Sequence, residues 1–365
     1  MKAAVFRKAN EPLTIEDVTL DAPGPHEVRL RTAACGVCHS DLHVVDGILN
    51  WASPSVLGHE ASGTVEAVGA AVTYVKPGDR VVACPSPFCG TCAKCLTGNP
   101  HLCANRASLQ RGADEKPRLS QKGVAFNQFA DISGYAEQLL LHENAVVKIP
   151  DAMPLDRAAL IGCGVMTGMG AVLNTAKVPT GASVAVFGAG GVGLSAIQAA
   201  RLAGASKVIA VDLLENKLAA ARRMGATHTI DASSSDPVAA IKEITGGGAD
   251  YAFEVIGIKK VVEQAMASIG PGGTVVSVGV VPPDQTIEVK WFDLFMEKKL
   301  TGSNMGSNRF RIDIPRLVDF YLQGRLNLDD MVTRRYPLEQ INEGFQDMLD
   351  SKNIRGVIRY TDDDR

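Results

Sequence analysis

The sequence is marked first by what it lacks. Its opening stretch, MKAAVFRKANEPLTIEDV, has no continuous apolar core, so no secretory signal is expected. No run approaches the eighteen or so uninterrupted apolar residues of a membrane-spanning helix. Neither sign of charge dominates. Lys+Arg 37 against Asp+Glu 40 leaves a net charge of -3, which offers no whole-protein attraction to nucleic acid or an anionic membrane. The 36 glycines follow no triplet period, which excludes collagen and implies many tight turns. Internal repeats and low-complexity tracts are missing too. Hydrophobic residues at 46% and charged residues at 21% exclude wholesale disorder. A chain of 365 residues fits two domains or one large one. It can bury roughly 75% of the surface of its unfolded form without disulfides. The eight cysteines are therefore expected in a reducing cytoplasm, where clusters of cysteine point to metal binding or catalysis.

Three textures follow one another along the chain. Up to about Pro150, β-rich runs (Lys2–Phe6, Glu27–Thr32, Gly63–Val68, Arg80–Ala83) alternate with turns such as Pro23-Gly24-Pro25 and Pro77-Gly78-Asp79. From Ser183, strands and helices alternate: Ser183–Phe187, a helix to about Leu202, Lys207–Val211, a helix over Glu215–Met224, then runs at Tyr251–Ile256 and Thr274–Gly279. This is the signature of βαβ units around a parallel sheet. From about Ser303, helical segments at Ile312–Leu322 and Leu338–Leu349 precede a short strand at Gly356–Tyr360. The polar, irregular stretch Arg106–Ser133 is long enough to be a functional or interface loop.

Gly188-Ala189-Gly190-Gly191-Val192-Gly193 reads G-x-G-x-x-G between a strand and a helix, the context a dinucleotide-binding turn requires. Gly188 permits the tight turn, Gly190 lets backbone approach a pyrophosphate, and Gly193 lets helix pack close on strand. The helix N-terminus adds unpaired N–H groups and a positive dipole end. Asp212, about twenty residues on, can accept hydrogen bonds from ribose hydroxyls. A carboxylate repels a 2′-phosphate, and Leu213 and Leu214 follow it rather than an arginine, so NAD is favoured over NADP. The plain alternative is an ordinary strand–turn–helix with Asp212 as a solvated charge.

Cys89, Cys92, Cys95 and Cys103 form C-x₂-C-x₂-C-x₇-C. Four thiolates complete a tetrahedral zinc with no open position, which makes a structural site. An iron–sulfur cluster fits less well, since its bacterial pattern has three residues before a last cysteine followed by proline; here the gap is seven and Ala104 follows. A nucleic-acid-binding zinc ribbon would want basic surroundings. Four unligated buried cysteines are improbable in a Pro/Gly-rich loop. Elsewhere stand Cys38, His59 in Gly58-His59-Glu60, and the isolated Cys163 in Gly162-Cys163-Gly164. Each alone is unremarkable. Together they form a Cys₂His set that leaves a fourth zinc position for substrate, as in alcohol dehydrogenase.

With these residues in hand, the sequence resembles the zinc-dependent medium-chain alcohol dehydrogenases over nearly its whole length. The G-H-E, the four-cysteine loop, the G-C-G and the G-A-G-G-V-G occur in the family's order and approximate spacing. The resemblance implies an α/β chain: a β-rich GroES-like catalytic domain over 1–162 and 305–365, and a doubly wound Rossmann-type NAD-binding domain over 163–304. It implies two zincs per subunit. Cys38, His59 and Cys163 would hold the catalytic one, and Glu60 would be a nearby carboxylate able to approach the metal during ligand exchange. Ser40 matches the hydroxyl that bonds the substrate oxygen, and His43 the far end of a proton relay through the cofactor ribose. His39 occupies a pyrophosphate-contact position that is arginine in some relatives. Thr167, Lys217, Arg355 and Val278-Gly279-Val280 align with further cofactor-binding positions. Cys35, Cys84, His26, His101, His142 and His228 find no role.

The chemistry stands apart from the resemblance. Oxidising an alcohol requires losing a hydroxyl proton and a hydride, and the proton is the obstacle at neutral pH. Catalytic zinc lowers the pKa of water from 15.7 to about 7, and each unit is worth about 1.36 kcal/mol. The hydride goes to the nicotinamide, which the protein must align. Three functions compete: a zinc alcohol dehydrogenase acting on primary, secondary or aromatic alcohols, a thiol-adduct formaldehyde dehydrogenase on the same site, and a non-enzymatic NAD- and zinc-binding regulator. The family's glutathione-dependent members carry an acid and an arginine where this chain has Leu49 and Ala107, which argues against glutathione but leaves another thiol carrier open. The relay residues count against a regulator. Trp51, Pro85, Phe126 and Met296 are candidates for an apolar pocket. The Arg106–Ser133 segment resembles that of dimeric members, so a homodimer is expected over a tetramer.

Overall fold

Ten residues, EVRLRTAACG, form the strand Glu27–Gly36 on which the first unit is built. In the computed structural model, which describes residues 1–282 and 284–360, its first half alternates as a half-covered strand should: Val28 and Leu30 are buried while Arg31 is exposed. From Thr32 to Gly36 every residue is buried. That loss of alternation is why the sequence pattern predicts an end at Thr32. The strand runs antiparallel to Glu60–Val68, Gln138–His142 and Arg355–Arg359. Register pairs Gly36 with both Glu60 and Val357. Glu60–Val68 likewise starts three residues before the predicted Gly63. A second sheet joins Lys2–Phe6 to Thr14–Asp17, Ser55–Val56 and Asn127–Gln128. Leu30, Leu57, Tyr135, Leu139 and Ile358 meet in the core.

This unit comprises Met1–Gly164 and the chain from Arg309 on; the second is Val165–Asn308. The breaks therefore fall after Gly164 and Asn308 rather than after 162 and 304. Cys163 consequently belongs to the first unit, not to the nucleotide-binding one.

The Arg106–Ser133 stretch is more ordered than its polarity suggests, with short strands at Leu119–Gln121 and Val124–Ala125. Glu27 anchors it. The carboxylate accepts from Arg111 Nε at 3.0 Å and Arg118 Nε at 2.6 Å, and from the Gly24 amide at 2.8 Å. Burial pushes this carboxyl up, but the two guanidiniums outweigh it and bring it down to about 2. Removing one partner from such a buried pair typically costs about 3–5 kcal/mol.

The second unit is a six-stranded, all-parallel sheet. Its spatial order is His228–Asp231, Lys207–Asp212, Ser183–Phe187, Ala249–Glu254, Ile269–Ser277, Lys299–Gly302. Numbered along the unit, this is 3-2-1-4-5-6, the doubly wound dinucleotide-binding order, whose ligand crevice lies where the order reverses beside the first strand. The fourth strand ends at Glu254 rather than Ile256. The Glu254 carboxylate accepts from the Ile256 and Gly257 amides at 2.8 and 2.7 Å, closing a turn that stops the ladder. Shortly before the terminal strand of the sheet order, Lys299–Gly302, the helix Trp291–Phe295 carries exposed, stacked Trp291 and Phe295, with ring centroids 5.3 Å apart.

The helical stretch Leu155–Ala176 is long and apolar enough to cross a membrane, but 83% of its most apolar window is buried inside the fold. It is a core helix.

Candidate active site and metal centres

Two groups of side chains gather as a metal would require. In the first, ligand atoms of Cys38, His59, Glu60 and Cys163 all lie within 4.8 Å of one another. Three local structures deliver them. Cys38 is the residue capping the helix His39–Val45, just past the end of the Glu27–Gly36 strand. Glu60 opens the neighbouring strand in register with Gly36, and His59 immediately precedes it. Cys163 sits in a π-helical turn, Ile161–Val165, a widened geometry frequent at functional sites. Small shifts would close such a set onto one four-coordinate ion.

The charge balance suits a cation. The Cys163 thiol donates to Cys38 and, with buried His59 adding its charge, holds the Cys38 thiol well below its ordinary value. Burial works against a charge on His59, yet Asp41 and Cys38 raise it well above the usual imidazole range. Burial pushes the Glu60 carboxyl up to about 7, against the pull of Arg355. Glu60 Oε2 accepts from Arg355 Nη2, and Oε1 accepts from the Gly164 amide at 3.2 Å. Arg355 also donates to the Val37 carbonyl at 3.1 Å. Its buried guanidinium thus restrains Glu60, which bears on whether a fourth position stays open.

Asp41 was not singled out by the sequence pattern, and it belongs here. Its Oδ2 lies 3.1 Å from His59 Nδ1, within ion-pair range although poorly aligned for a hydrogen bond, and Oδ1 accepts from the Gly58 amide at 2.8 Å. A carboxylate on the far nitrogen of a ligating histidine fixes its tautomer and orientation. The available signal was its spacing, three residues after Cys38. Gly58 adopts φ +88°, and a Cβ there would come within 2.8 Å of the Tyr135 ring. Only glycine serves.

Ser40 and His43 share the helix His39–Val45. Three residues apart, they lie on one face. Both are half-buried, and among the described residues His43 Nδ1 is buried without a hydrogen-bond partner. His39 is exposed, 6.4 Å ring to ring from His43. Phe129 stands edge-on to the His59 ring at 5.5 Å, and Trp51 stands edge-on to Phe129 at 5.0 Å. Of the expected pocket residues, Phe126 is instead buried in a separate cluster with Val5, Val56 and Leu119. The Arg7 guanidinium lies over its ring at 5.0 Å. Phe129 takes the place expected of it. Pro85 accepts from Arg106 through its carbonyl, and Met296 caps the helix Trp291–Phe295 in the second unit.

The second group is Cys89, Cys92, Cys95 and Cys103. Their sulfurs lie 3.5 Å (Cys92–Cys95), 4.0 Å (Cys89–Cys95) and 3.9 Å (Cys92–Cys103) apart. Tetrahedral zinc with Zn–S near 2.3 Å needs an edge of about 3.8 Å, whereas a disulfide needs about 2.05 Å. The spacing fits the metal. The Thr91 hydroxyl and the Thr91 and Cys92 amides point at the Cys89 sulfur, and together they draw that thiol down to about 6.

In the second unit, the turn after Ser183–Phe187 carries the glycines. Gly188 has φ +101°, and a Cβ there would approach Ile256 to 2.7 Å. A Cβ on Gly193 would strike the Gly188 carbonyl, whereas one on Gly190 would meet nothing within 4 Å. Gly190 and Gly191 are half-buried, and Gly191 opens the helix Gly191–Leu202. The room beside Gly190, at a helix N-terminus, is what a pyrophosphate needs. Asp212 ends its strand with Oδ2 accepting from the Ala189 amide at 2.7 Å and Oδ1 from the Leu213 and Leu214 amides. Oδ1 thus has both lone pairs occupied, and Oδ2 keeps one for a ribose hydroxyl. Lys217 is half-buried on the next helix. The amides of Val278 and Gly279 donate to the Glu254 carbonyl, and Val280 follows, exposed. The Thr167 hydroxyl donates to the Met305 sulfur at 3.7 Å.

Comparison with known proteins bears on both halves. Residues 24–151 match the alcohol dehydrogenase GroES-like domain, and residues 191–323 match the zinc-binding dehydrogenase domain. The NDMA-dependent alcohol dehydrogenase of Amycolatopsis methanolica is 41% identical over 370 residues, covering 99% of each chain. An alcohol dehydrogenase zinc-binding domain protein from Burkholderia ambifaria superposes with a TM-score of 0.94 at 40% identity, over 99% of this chain and 98% of that one. The benzyl alcohol dehydrogenase of Acinetobacter calcoaceticus gives 0.93 at 35%, over 99% of both. Fold, thiolate–imidazole set and glycine turn together define a zinc- and NAD(P)-using dehydrogenase. The chain belongs to the zinc-dependent medium-chain alcohol dehydrogenases, and it is an oxidoreductase acting on alcohols.

Proposed function

We propose that the chain oxidises aromatic primary and secondary alcohols with NAD, or reduces the matching carbonyls, and holds two zincs per subunit. The observation carrying this reading is the convergence of Cys38, His59 and Cys163, with Glu60 restrained beside them by Arg355. Zinc held there supplies a Lewis acid that makes a hydroxyl easier to deprotonate. The chain's own groups do the rest. Two thiolates and one imidazole are the donors, and Asp41 keeps the His59 ring facing inward. Ser40 Oγ accepts the hydroxyl proton as it gives up its own, and His43 Nδ1, buried and unpartnered among the described residues, is the acceptor at the far end of the relay. Cys89, Cys92, Cys95 and Cys103 form a closed structural set. The room beside Gly190 and the carboxylate of Asp212, with no arginine following it, support NAD.

Aromatic substrates are supported by the Trp51–Phe129 pair beside His59, and they agree with what the Acinetobacter relative is named for. An aromatic contact is worth about 0.5–1.5 kcal/mol beyond area burial. We therefore expect kcat/KM for benzyl alcohol to exceed that for ethanol, and Trp51→Ala to lower the benzyl value about tenfold while leaving ethanol little changed. NADH formation across an alcohol panel, with and without added thiols, measures this. A strict thiol requirement, or equal losses on both alcohols, would count against it.

The exposed aromatic side chains of Trp291–Phe295, together with the edge strand Lys299–Gly302, which has one sheet neighbour among the described residues, support a homodimer. A patch of this kind usually marks an interface, and an edge strand can pair with its own two-fold copy. Sedimentation equilibrium should give twice the chain mass of 38.6 kDa; a single-chain mass would refute the dimer.

A further inference from the structure

Behind His59 and Asp41 lies a third residue with a hydroxyl aimed at the same carboxylate. Tyr135 is fully buried in the core of the first unit. Its OH stands 3.0 Å from Asp41 Oδ2, the same oxygen that lies 3.1 Å from His59 Nδ1. The alternative acceptor, the Gly36 carbonyl, is farther away at 3.3 Å. A phenol has one proton, and a carboxylate is the stronger acceptor. Burial, followed by the charges of Asp41, Cys35 and Cys38, holds the phenol well above its ordinary value, so it remains a donor.

We propose that Tyr135 is a positioning residue for the catalytic metal centre, acting through Asp41 to fix the tautomer and angle of His59. This rests on the reading of Cys38, His59 and Cys163 as zinc ligands. With Oδ1 tied to the Gly58 amide and Oδ2 to the Tyr135 hydroxyl, the Asp41 carboxylate cannot swing. Its Oδ2 is so held 3.1 Å from His59 Nδ1. His59 Nδ1–H is thereby directed outward from the metal set, and Nε2 is left as the donor atom. The tyrosine is itself rigid. Its amide donates to the Leu57 carbonyl at 2.9 Å, its carbonyl accepts from the Ala4 amide at 2.8 Å, and its ring packs edge-on against Phe345 at 6.1 Å. Gly58 must lack a side chain for that ring to come so close. The sequence element GHE thus depends on a tyrosine 76 residues further along the chain.

Tyr135→Phe removes only the oxygen and keeps the ring. Groups bonded directly to a metal ligand typically change affinity or activity 10–100-fold, and Tyr135 acts one step further out, so the lower end of that range applies. The full-length, zinc-loaded variant should release one zinc to a chromogenic chelator about tenfold faster than the parent, while the four-cysteine zinc leaves at the parental rate. With cobalt in the catalytic position, its visible absorption band should shift. Phe345→Leu, which loosens the ring but keeps the hydroxyl, serves as the packing control and should move neither readout. Parental zinc release with an unshifted cobalt band in Tyr135→Phe would overturn the proposal, and so would equal effects in Phe345→Leu. A parent that carries zinc only on its four cysteines would instead overturn the ligand reading beneath it.

Discussion

Cys163→Ser is expected to abolish measurable alcohol oxidation while leaving NAD affinity within about twofold of the parent. A serine hydroxyl at neutral pH is protonated and offers neither the charge nor the soft donor of a thiolate. The remaining pair, Cys38 and His59, leaves the cation under-coordinated, and Arg355 competes for the Glu60 carboxylate. The magnitude follows from what the metal does to a hydroxyl. Catalytic zinc shifts water by about 8 or 9 pKa units, so losing even three of them costs about 4 kcal/mol, or roughly 10³ in rate. Nucleotide affinity should survive because the glycine turn and Asp212 lie in Val165–Asn308, whereas Cys163 lies in the other unit. Elemental analysis should find zinc falling from two per chain to one, with NAD binding followed by fluorescence. A variant that turns over at the parental rate would remove Cys163 from the ligand set.

Asp212→Gly should shift cofactor preference toward NADP by roughly 100-fold or more, chiefly by weakening NAD and admitting the phosphate. Hydrogen bonds to a charged group are worth about 1.5–3 kcal/mol. Two charges 4 Å apart near a protein surface interact by about 4 kcal/mol. The structure adds a complication to this simple account. Asp212 Oδ2 also holds the Ala189 amide, and so the shape of the glycine turn itself. Glycine removes that tie along with the charge. Asp212→Asn removes the charge but lets the amide oxygen accept from Ala189, with its NH2 then facing the Leu213 and Leu214 amides. If the turn matters most, the asparagine variant keeps NAD affinity; if charge matters most, it follows glycine toward NADP. Ratios of kcat/KM for the two cofactors decide, and a ratio unchanged in both variants would refute the ribose role of Asp212.

The parts legible in the sequence were those in which chemistry and local pattern coincide. The four cysteines within fifteen residues, and the glycine turn between a strand and a helix, announce themselves because all their members are neighbours along the chain. Strands of the parallel sheet were readable from apolar runs, but their ends were not. A side chain, Glu254, closes one of them by bonding amides beyond it, and Pro271-Gly272-Gly273 lies inside another, Ile269–Ser277, where it reads as a turn. The catalytic group was legible only as three residues of two types scattered over 126 positions, from Cys38 to Cys163. Nothing periodic connects them. Asp41 and Tyr135 escaped for the same reason, since a buried carboxylate is recognisable only once its acceptor geometry is in view. Phe126 and Phe129 show the limit most plainly. Two identical residue types three positions apart have opposite surroundings, one over Arg7 and one beside His59.

The interruption of the first unit by the second has a consequence for how this polypeptide comes off the ribosome. The strand Arg355–Arg359 pairs with Glu27–Gly36, and Arg355 meets Glu60 across a separation of 295 residues, so both partners of these early segments are made long after them. Val165–Asn308 and the four-cysteine loop are each contiguous, so every partner within them is made before residue 309. Glu60, beside Cys38, His59 and Cys163, stays without its guanidinium partner until Arg355 is made. A nascent chain stalled before residue 355 should therefore lack both the Arg355–Arg359 strand and the Glu60–Arg355 pair, and show no alcohol oxidation.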